Sequence, residues 1–145
     1  MSRIWHHSPR IEQLNEMMGD KTIMSLLGIR ITEIGEDYLR GTMPADQRTH
    51  QVYGVVHGGA NVVLTETLGS MACALTIDIN KYQCYGQHVD ATHLRSVSTG
   101  LVTGTARPVH LGRRSQVWEI KLEDDEGVTT CVSRLIMAVV PTRKN

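Results

Sequence analysis

The stretch from Gly58 to about Ile77 constrains the fold more than any other. Ala60, Val63, Leu64, Thr67, Met71, Ala74 and Leu75 recur at spacings of three and four, the period of a helix. Its only ionised side chain is Glu66, and it is rich in small residues. One long, nearly uncharged helix over 58–77 has to be packed inside something. The flanking segments say what. Ile29–Ile34 and Tyr38–Met43 alternate with period two around Gly35-Glu36-Asp37, a hairpin connection. After the helix, four more strand-like runs cover 83–94, 101–111, 115–122 and 129–139. Ser98-Thr99-Gly100, Gly112-Arg113-Arg114 and Asp124-Asp125-Glu126-Gly127 break them apart. Two strands, one apolar helix and four strands predict an α+β fold, a six-stranded antiparallel sheet wrapped around one long central helix. Periodicity alone leaves other α+β sandwiches open.

The rest of the chain fits one domain over 1–145. Residues 1–20 hold a short helical segment, with Ile11, Leu14, Met17 and Met18 on one stripe behind Pro9. Thr22–Leu27 reads as one more turn ending at Gly28, and Pro44–Tyr53 as a polar loop. Hydrophobic residues make up 41% and charged residues 21%, which argues against disorder. The formal net charge is zero, so nothing pulls the chain as a whole toward nucleic acid or an anionic membrane. Any bound anion must be held by a local basic patch. Cys73, Cys84 and Cys131 form no CxxC pair and are odd in number. The expectation is reduced thiols and a cytoplasmic protein rather than a disulfide framework. Ahead of Ile11 there is no apolar stretch of signal-peptide type, and the longest apolar run, Leu135–Val140, is too short to span a bilayer. The seven histidines form no HExxH and no Cys/His ligand spacing, so no metal is expected.

The chemistry concentrates in Gln51-Val52-Tyr53-Gly54-Val55-Val56-His57-Gly58-Gly59-Ala60, which runs into the helix bearing Glu66 and Ser70. Paired glycines at a helix start leave N–H groups open at the positive end of the dipole, which suits a developing oxyanion. Equally, they could simply shape a tight turn. Glu66 has Val62, Val63, Gly69 and Ser70 on its own face. A carboxylate in that company is either a working group or part of a solvated stripe. Eight residues separate Gly58 from Glu66, about 12 Å of helix, too far for one carbonyl to touch both. Two such helices packed antiparallel about a two-fold axis would bring Gly58 of one chain to Glu66 of the other. A symmetric dimer with two composite sites follows. Arg95, Arg107, Arg113 and Arg114, with His93 and His110 beside them, are candidates for phosphate recognition, or ordinary charges at strand ends.

Together, five motifs resemble the hotdog-fold acyl-CoA thioesterases of the phenylacetate-pathway type, above all those acting on aromatic CoA thioesters. They are Met43–Thr49, Gly54–Ala60, Val62–Glu66, His93–Ser96 and His110–Gly112. The resemblance runs from the Trp5 region to Val139. It implies that Glu66 attacks the thioester carbonyl or activates water against it. Gly58 would supply an oxyanion N–H. Gln51 would hold the carbonyl or the water, His57 would position the acyl-thioester, and Ser70 would bond the carboxylate or the water. For the CoA half, it implies contacts from Gly86, from His93, Leu94, Arg95 and Ser96, and from His110, Leu111, Gly112, Arg113, Arg114 and Ser115. It implies no cofactor, an acyl-CoA or acyl-carrier-protein substrate, and a dimer or tetramer. His88 and Asp90 depart from the family's pattern and alternate to one face of their strand. The lack of Phe leaves Tyr53, Tyr82, Tyr85 and aliphatic residues to line an aromatic pocket. Two other readings compete. A hotdog dehydratase or hydratase would pair His57 with Glu66 as acid and base. A non-catalytic acyl-CoA-binding module would need no placed carboxylate.

Overall fold

The computed structural model describes residues 3–144. Two short helices, α1 (Ile11–Met18) and α2 (Ile23–Leu26), precede a hairpin of β1 (Arg30–Ile34) and β2 (Leu39–Pro44). The long helix α3 (Gly58–Thr76) follows. The chain ends in β3 (Tyr82–His93), β4 (Leu101–Leu111), β5 (Ser115–Glu123) and β6 (Thr129–Pro141). All six strands form one sheet in the order β1-β2-β4-β5-β6-β3, and every pairing is antiparallel. This is the hotdog arrangement: the helix connects β2 near one edge to β3 at the other, and the sheet curves around it. The expected elements are all present; α3 stops one residue early because Ile77 is already extended. Among the described residues, no helix is long and apolar enough to cross a membrane.

The face that α3 buries is not the one its apolar spacing suggests. The buried residues are Ala60, Asn61, Leu64, Thr65, Leu68, Gly69, Ala72 and Cys73, two adjacent stripes repeating every four residues. Val63, Thr67, Met71, Ala74 and Leu75 are only half-buried. A helix that is apolar all round carries no sequence signal for which side meets the sheet. The sheet decides instead. Gly41 of β2 pairs with Gly104 of β4, and the space left by their missing side chains seats Leu68. A Cβ on either glycine would come within 2.8 and 2.6 Å of the Leu68 methyls.

The first helical segment closes one end of the core. Trp5 stacks on Trp118, with ring centroids 6.4 Å apart and planes 5° from parallel, and donates its indole N–H to the Gly35 carbonyl at 2.7 Å. The Trp118 N–H is taken by Gln116, whose amide donates to Thr76 at the end of α3. All three cysteines are free, and the Cys73 and Cys84 thiols face one another between α3 and β3. Burial and that contact push the Cys73 thiol up, whereas the same contact pulls the Cys84 thiol down.

Leu68 is fully excluded from solvent in its glycine-lined seat. Leu68→Ala should therefore cost about 2–5 kcal/mol of stability, read as a lower urea midpoint at unchanged m-value.

Candidate active site

β3 runs back along α3, so that each end of the helix meets the opposite end of the strand. At the helix start, a Cβ on Gly58 would lie 2.8 Å from His93 Nε2. Two turns on, a Cβ on Gly86 would lie 2.5 Å from Glu66 Oε1. Further along, Cys73 meets Cys84. The strand carries a bulge between Gly86 and His88, beside the carboxylate; bulges commonly re-aim a strand next to a functional group.

The helix start is built around two imidazoles. His57 is the N-cap, and its Nδ1 accepts the Gly59 N–H at 2.8 Å. A neutral His57 must then carry its proton on Nε2. A Cβ on Gly59 would come within 2.9 Å of that Nδ1, as one on Gly58 would of His93. Each glycine thus makes room for one histidine. Among the described residues, the Gly58 N–H has no acceptor, which leaves a donor at the positive end of the 19-residue helix. The preceding loop is fixed by its own bonds: His57 N–H to the Thr49 carbonyl at 2.7 Å, and Val56 N–H to the Val97 carbonyl at 2.9 Å. Gln51 spends its side-chain oxygen on the Tyr53 N–H, so its amide N–H groups are what it can offer a ligand.

Glu66 is exposed and, among the described residues, has no ion-pair partner. It lies in a groove of about 330 Å³ between α2 and α3 that is walled by Ile23, Met24, Val63, Thr67, Ser70 and Met71. Ser70 was an expected site residue and Val63 an expected same-face neighbour of Glu66, whereas Ile23, Met24, Thr67 and Met71 were not placed at the site from the sequence. The available signal was the outward stripe of α3 at three to five residues from Glu66. Ser70 faces the groove, but its hydroxyl is turned to the Met137 sulfur at 3.7 Å and not to Glu66. Thioether sulfur is a weak acceptor that a better one can displace.

The arginines do not gather as their sequence proximity suggests. Arg107 lies on the outer face of the sheet, paired with Asp37 at 3.0 Å and stacked over the Tyr38 ring. It is a structural charge there, since β4 alternates and Ala106, not Arg107, faces the core. The other basic residues fall into two groups. Tyr82 pairs with Pro141 and Ser115 with Ala138, so the turn carrying Arg113 and Arg114 lies at the start of β3. His93 to Ser96 lie at its far end, roughly 35 Å away along a 12-residue strand. Arg113 and Arg114 line a hollow of about 460 Å³ with Ile77, Tyr82 and Val139. His110 folds over Gly112, whose N–H is held by the Ser115 carbonyl at 2.9 Å. Leu94 and Arg95 are anchored through their N–H groups on the Thr130 carbonyl, which leaves their side chains exposed. His88 and Asp90 approach to 3.7 Å on the exposed strand. No group of three metal-ligating side chains converges among the described residues.

A six-stranded antiparallel sheet wrapped around one long helix is the hotdog fold, which is shared with thioester hydrolases. The thioesterase superfamily profile matches residues 53–131, and the chain belongs to that superfamily. It is 47% identical over 138 residues to the proofreading thioesterase EntH of Cronobacter turicensis, covering 94% of this chain and 98% of the relative. It is 42% identical over 137 residues to the 1,4-dihydroxy-2-naphthoyl-CoA hydrolase of Escherichia coli, covering 94% and 99%. The fold superposes with a TM-score of 0.94 on the crystal structure of a glutamine-to-alanine variant of a thioesterase from Pseudomonas aeruginosa. That protein is 47% identical, with 96% and 99% of the two chains covered. The protein is a thioester hydrolase.

Gly86 is the residue that lets the carboxylate stand where it does. Gly86→Ala should displace Glu66 and lower turnover at least 10-fold, with folding preserved because residue 86 is solvent-exposed. Steady-state kinetics alongside thermal melting will check both halves.

Proposed function

We propose that the protein hydrolyses acyl-CoA thioesters with aromatic or medium-chain acyl groups, at sites each composed of two chains. The observation that carries this is the position of Glu66, exposed at a mostly apolar groove with Gly86 behind it. The acyl group lies in the groove against Val63 and Met71. Glu66 drives attack on the thioester carbon, directly or through a water whose proton it takes. The negative charge moves to the carbonyl oxygen, where the Gly58 N–H of the partner subunit and a Gln51 amide N–H receive it. Collapse of that intermediate expels the CoA thiolate. In the water route the thiolate takes the proton that Glu66 holds. In the direct route water then splits the acyl–glutamate anhydride, freeing the acid, restoring the carboxylate and supplying the thiol's proton. Ser70 turns from Met137 to bond the carboxylate or the water, and His57 lines the acyl-thioester.

Two features support the partner's part. β3 is a 12-residue edge strand, exposed along most of its length and paired on one side only. Monomers rarely leave so long an edge uncovered. Antiparallel pairing of two β3 strands about an axis near Val89 and Asp90 sets His93 of one chain level with Gly86 of the other. Gly58 then meets Glu66 across the same axis. It also brings the His93–Ser96 segment of one chain to the Arg113–Arg114 turn of its partner, closing the gap that separates them within a chain. That joined basic surface suits the nucleotide phosphates of CoA. The relative in Cronobacter turicensis is named a proofreading thioesterase, and acyl groups on a carrier protein are a second thiol ester this site would accept.

The test is thiol release, followed with a thiol-reactive dye, over aromatic and aliphatic acyl-CoAs. Glu66→Gln should lose about 10²- to 10⁴-fold in kcat with little change in binding. Equal rates in both proteins would remove Glu66 from the centre of the reaction. Loss of water from a 3-hydroxyacyl-CoA to give an enoyl product, without thiol release, would point to a dehydratase. Gly58→Ala keeps its N–H but sets a Cβ 2.8 Å from His93 Nε2 and should disable that corner by crowding. Mixing it, refolded, with Glu66→Gln should then restore about a quarter of wild-type activity, because half of the random dimers hold one intact composite site. No recovery would place both groups in one chain. Sedimentation of the wild type will separate dimer from tetramer.

A further inference from the structure

Asn61 has no part in the roles given above, yet it is one of the few polar side chains that α3 buries. It is 7% exposed, between Ala60 and Leu64 on the sheet-facing stripe. Its Nδ2 donates to His93 Nδ1 at 3.3 Å, and its Oδ1 is fully enclosed without a partner. Asn61 and Gly58 are three residues apart on one helix face. The His93 ring spans them, with Nδ1 on Asn61 and Nε2 against the Gly58 backbone. An unpaired buried amide oxygen is unfavourable by about 1–3 kcal/mol, so the helix carries a polar side chain here at a loss to stability. The geometry gives that side chain one evident use. A carboxamide nitrogen has only protons to offer, and the ring nitrogen facing it must present its lone pair. Rotating the amide by half a turn would leave an enclosed N–H orphaned in place of a C=O, and buried protein tolerates that less well.

We infer that Asn61 is a positioning residue, which holds neutral His93 as the Nε2–H tautomer so that the ring donates a hydrogen bond at the Gly58 corner. The inference rests on the thioesterase reading of that corner. With this tautomer, the site presents two kinds of donor to substrate oxygen, the unspent Gly58 N–H and the imidazole Nε2–H. With the other tautomer, Nε2 would be a lone pair facing the developing negative charge. His57 reaches the same tautomer by a different route, through the Gly59 N–H on its Nδ1. Both imidazoles at the helix start are thus set to donate from Nε2, one by the backbone and one by Asn61.

Long-range proton–nitrogen spectra of the histidine-labelled protein at mildly alkaline pH read the tautomer directly, with His93 assigned by its loss in His93→Gln. Wild type should show an acceptor-type Nδ1 and a protonated Nε2. Asn61→Asp, whose carboxylate can only accept, should move the proton to Nδ1, and the neutral Asn61→Leu should give a mixture. In thiol-release assays, either variant should lower kcat about 10- to 100-fold with a smaller change in KM. In a His93→Gln background, the same substitutions should add nothing further. A wild-type His93 protonated on Nδ1 would overturn the proposal, whatever the variants do and however they fold. So would kinetic losses that simply add to those of His93→Gln. The spectra need no substrate, so their failure is distinct from a failure of the thioesterase reading.

Discussion

The seating of α3 in the sheet is the constraint on which everything else rests. Leu64, Leu68, Ala72 and Cys73 are wholly excluded from solvent, and Leu68 reaches its place only because two paired strand positions have no side chain. At roughly 25 cal/mol per Å² of apolar surface, such burial fixes the rotation of the helix about its own axis. Once that rotation is set, Glu66, Ser70 and Met71 have to face the groove under α2, and Gly58 and Asn61 have to face the end of β3. The site is a consequence of which side of an almost featureless helix the core takes.

That dependence explains what could be read in the sequence. The order of elements was legible because alternation in the strands and the three-to-four spacing in the helix are local properties. The breaks at Ser98–Gly100, Gly112–Arg114 and Asp124–Gly127 are local too. Strand order was not. Nothing within residues 82–93 says that this strand crosses to the far edge and pairs with β6, because pairing is settled by packing between elements remote in the chain. The buried stripe of α3 was illegible for a related reason: with apolar residues on every side, no moment distinguishes one face. Glu66 stood out as the lone charge on that helix, and the family resemblance gathered Gln51, His57, Gly58 and Ser70 around it.

The errors are equally physical. Arg107 is near Arg113 and Arg114 in sequence, but the alternation of β4 turns it outward onto Asp37 and Tyr38. His93 and His110 were grouped as neighbours, yet His110 lies three strands across the sheet, level with His88 and five residues short of His93 along β3. Sequence distance says little about spatial distance where an antiparallel sheet folds the chain back on itself. Asn61 passed unnoticed because a single Asn in a helix has no pattern. Only its enclosure and its contact with an imidazole mark it out.

Three glycines of the candidate site share one design. Gly58 yields to His93, Gly59 to His57, and Gly86 to Glu66. In each, a candidate site side chain occupies the volume that its opposite residue gives up. Mutational tolerance at these places is therefore a property of pairs. A methyl group gained on one side and a ring or carboxylate trimmed on the other can cancel sterically while still abolishing the chemistry. A scan that varies one residue at a time will score the three glycines as severely as the groups they accommodate, although none of their missing side chains ever meets substrate. Only pairwise libraries would separate the room that this site requires from the chemistry it performs.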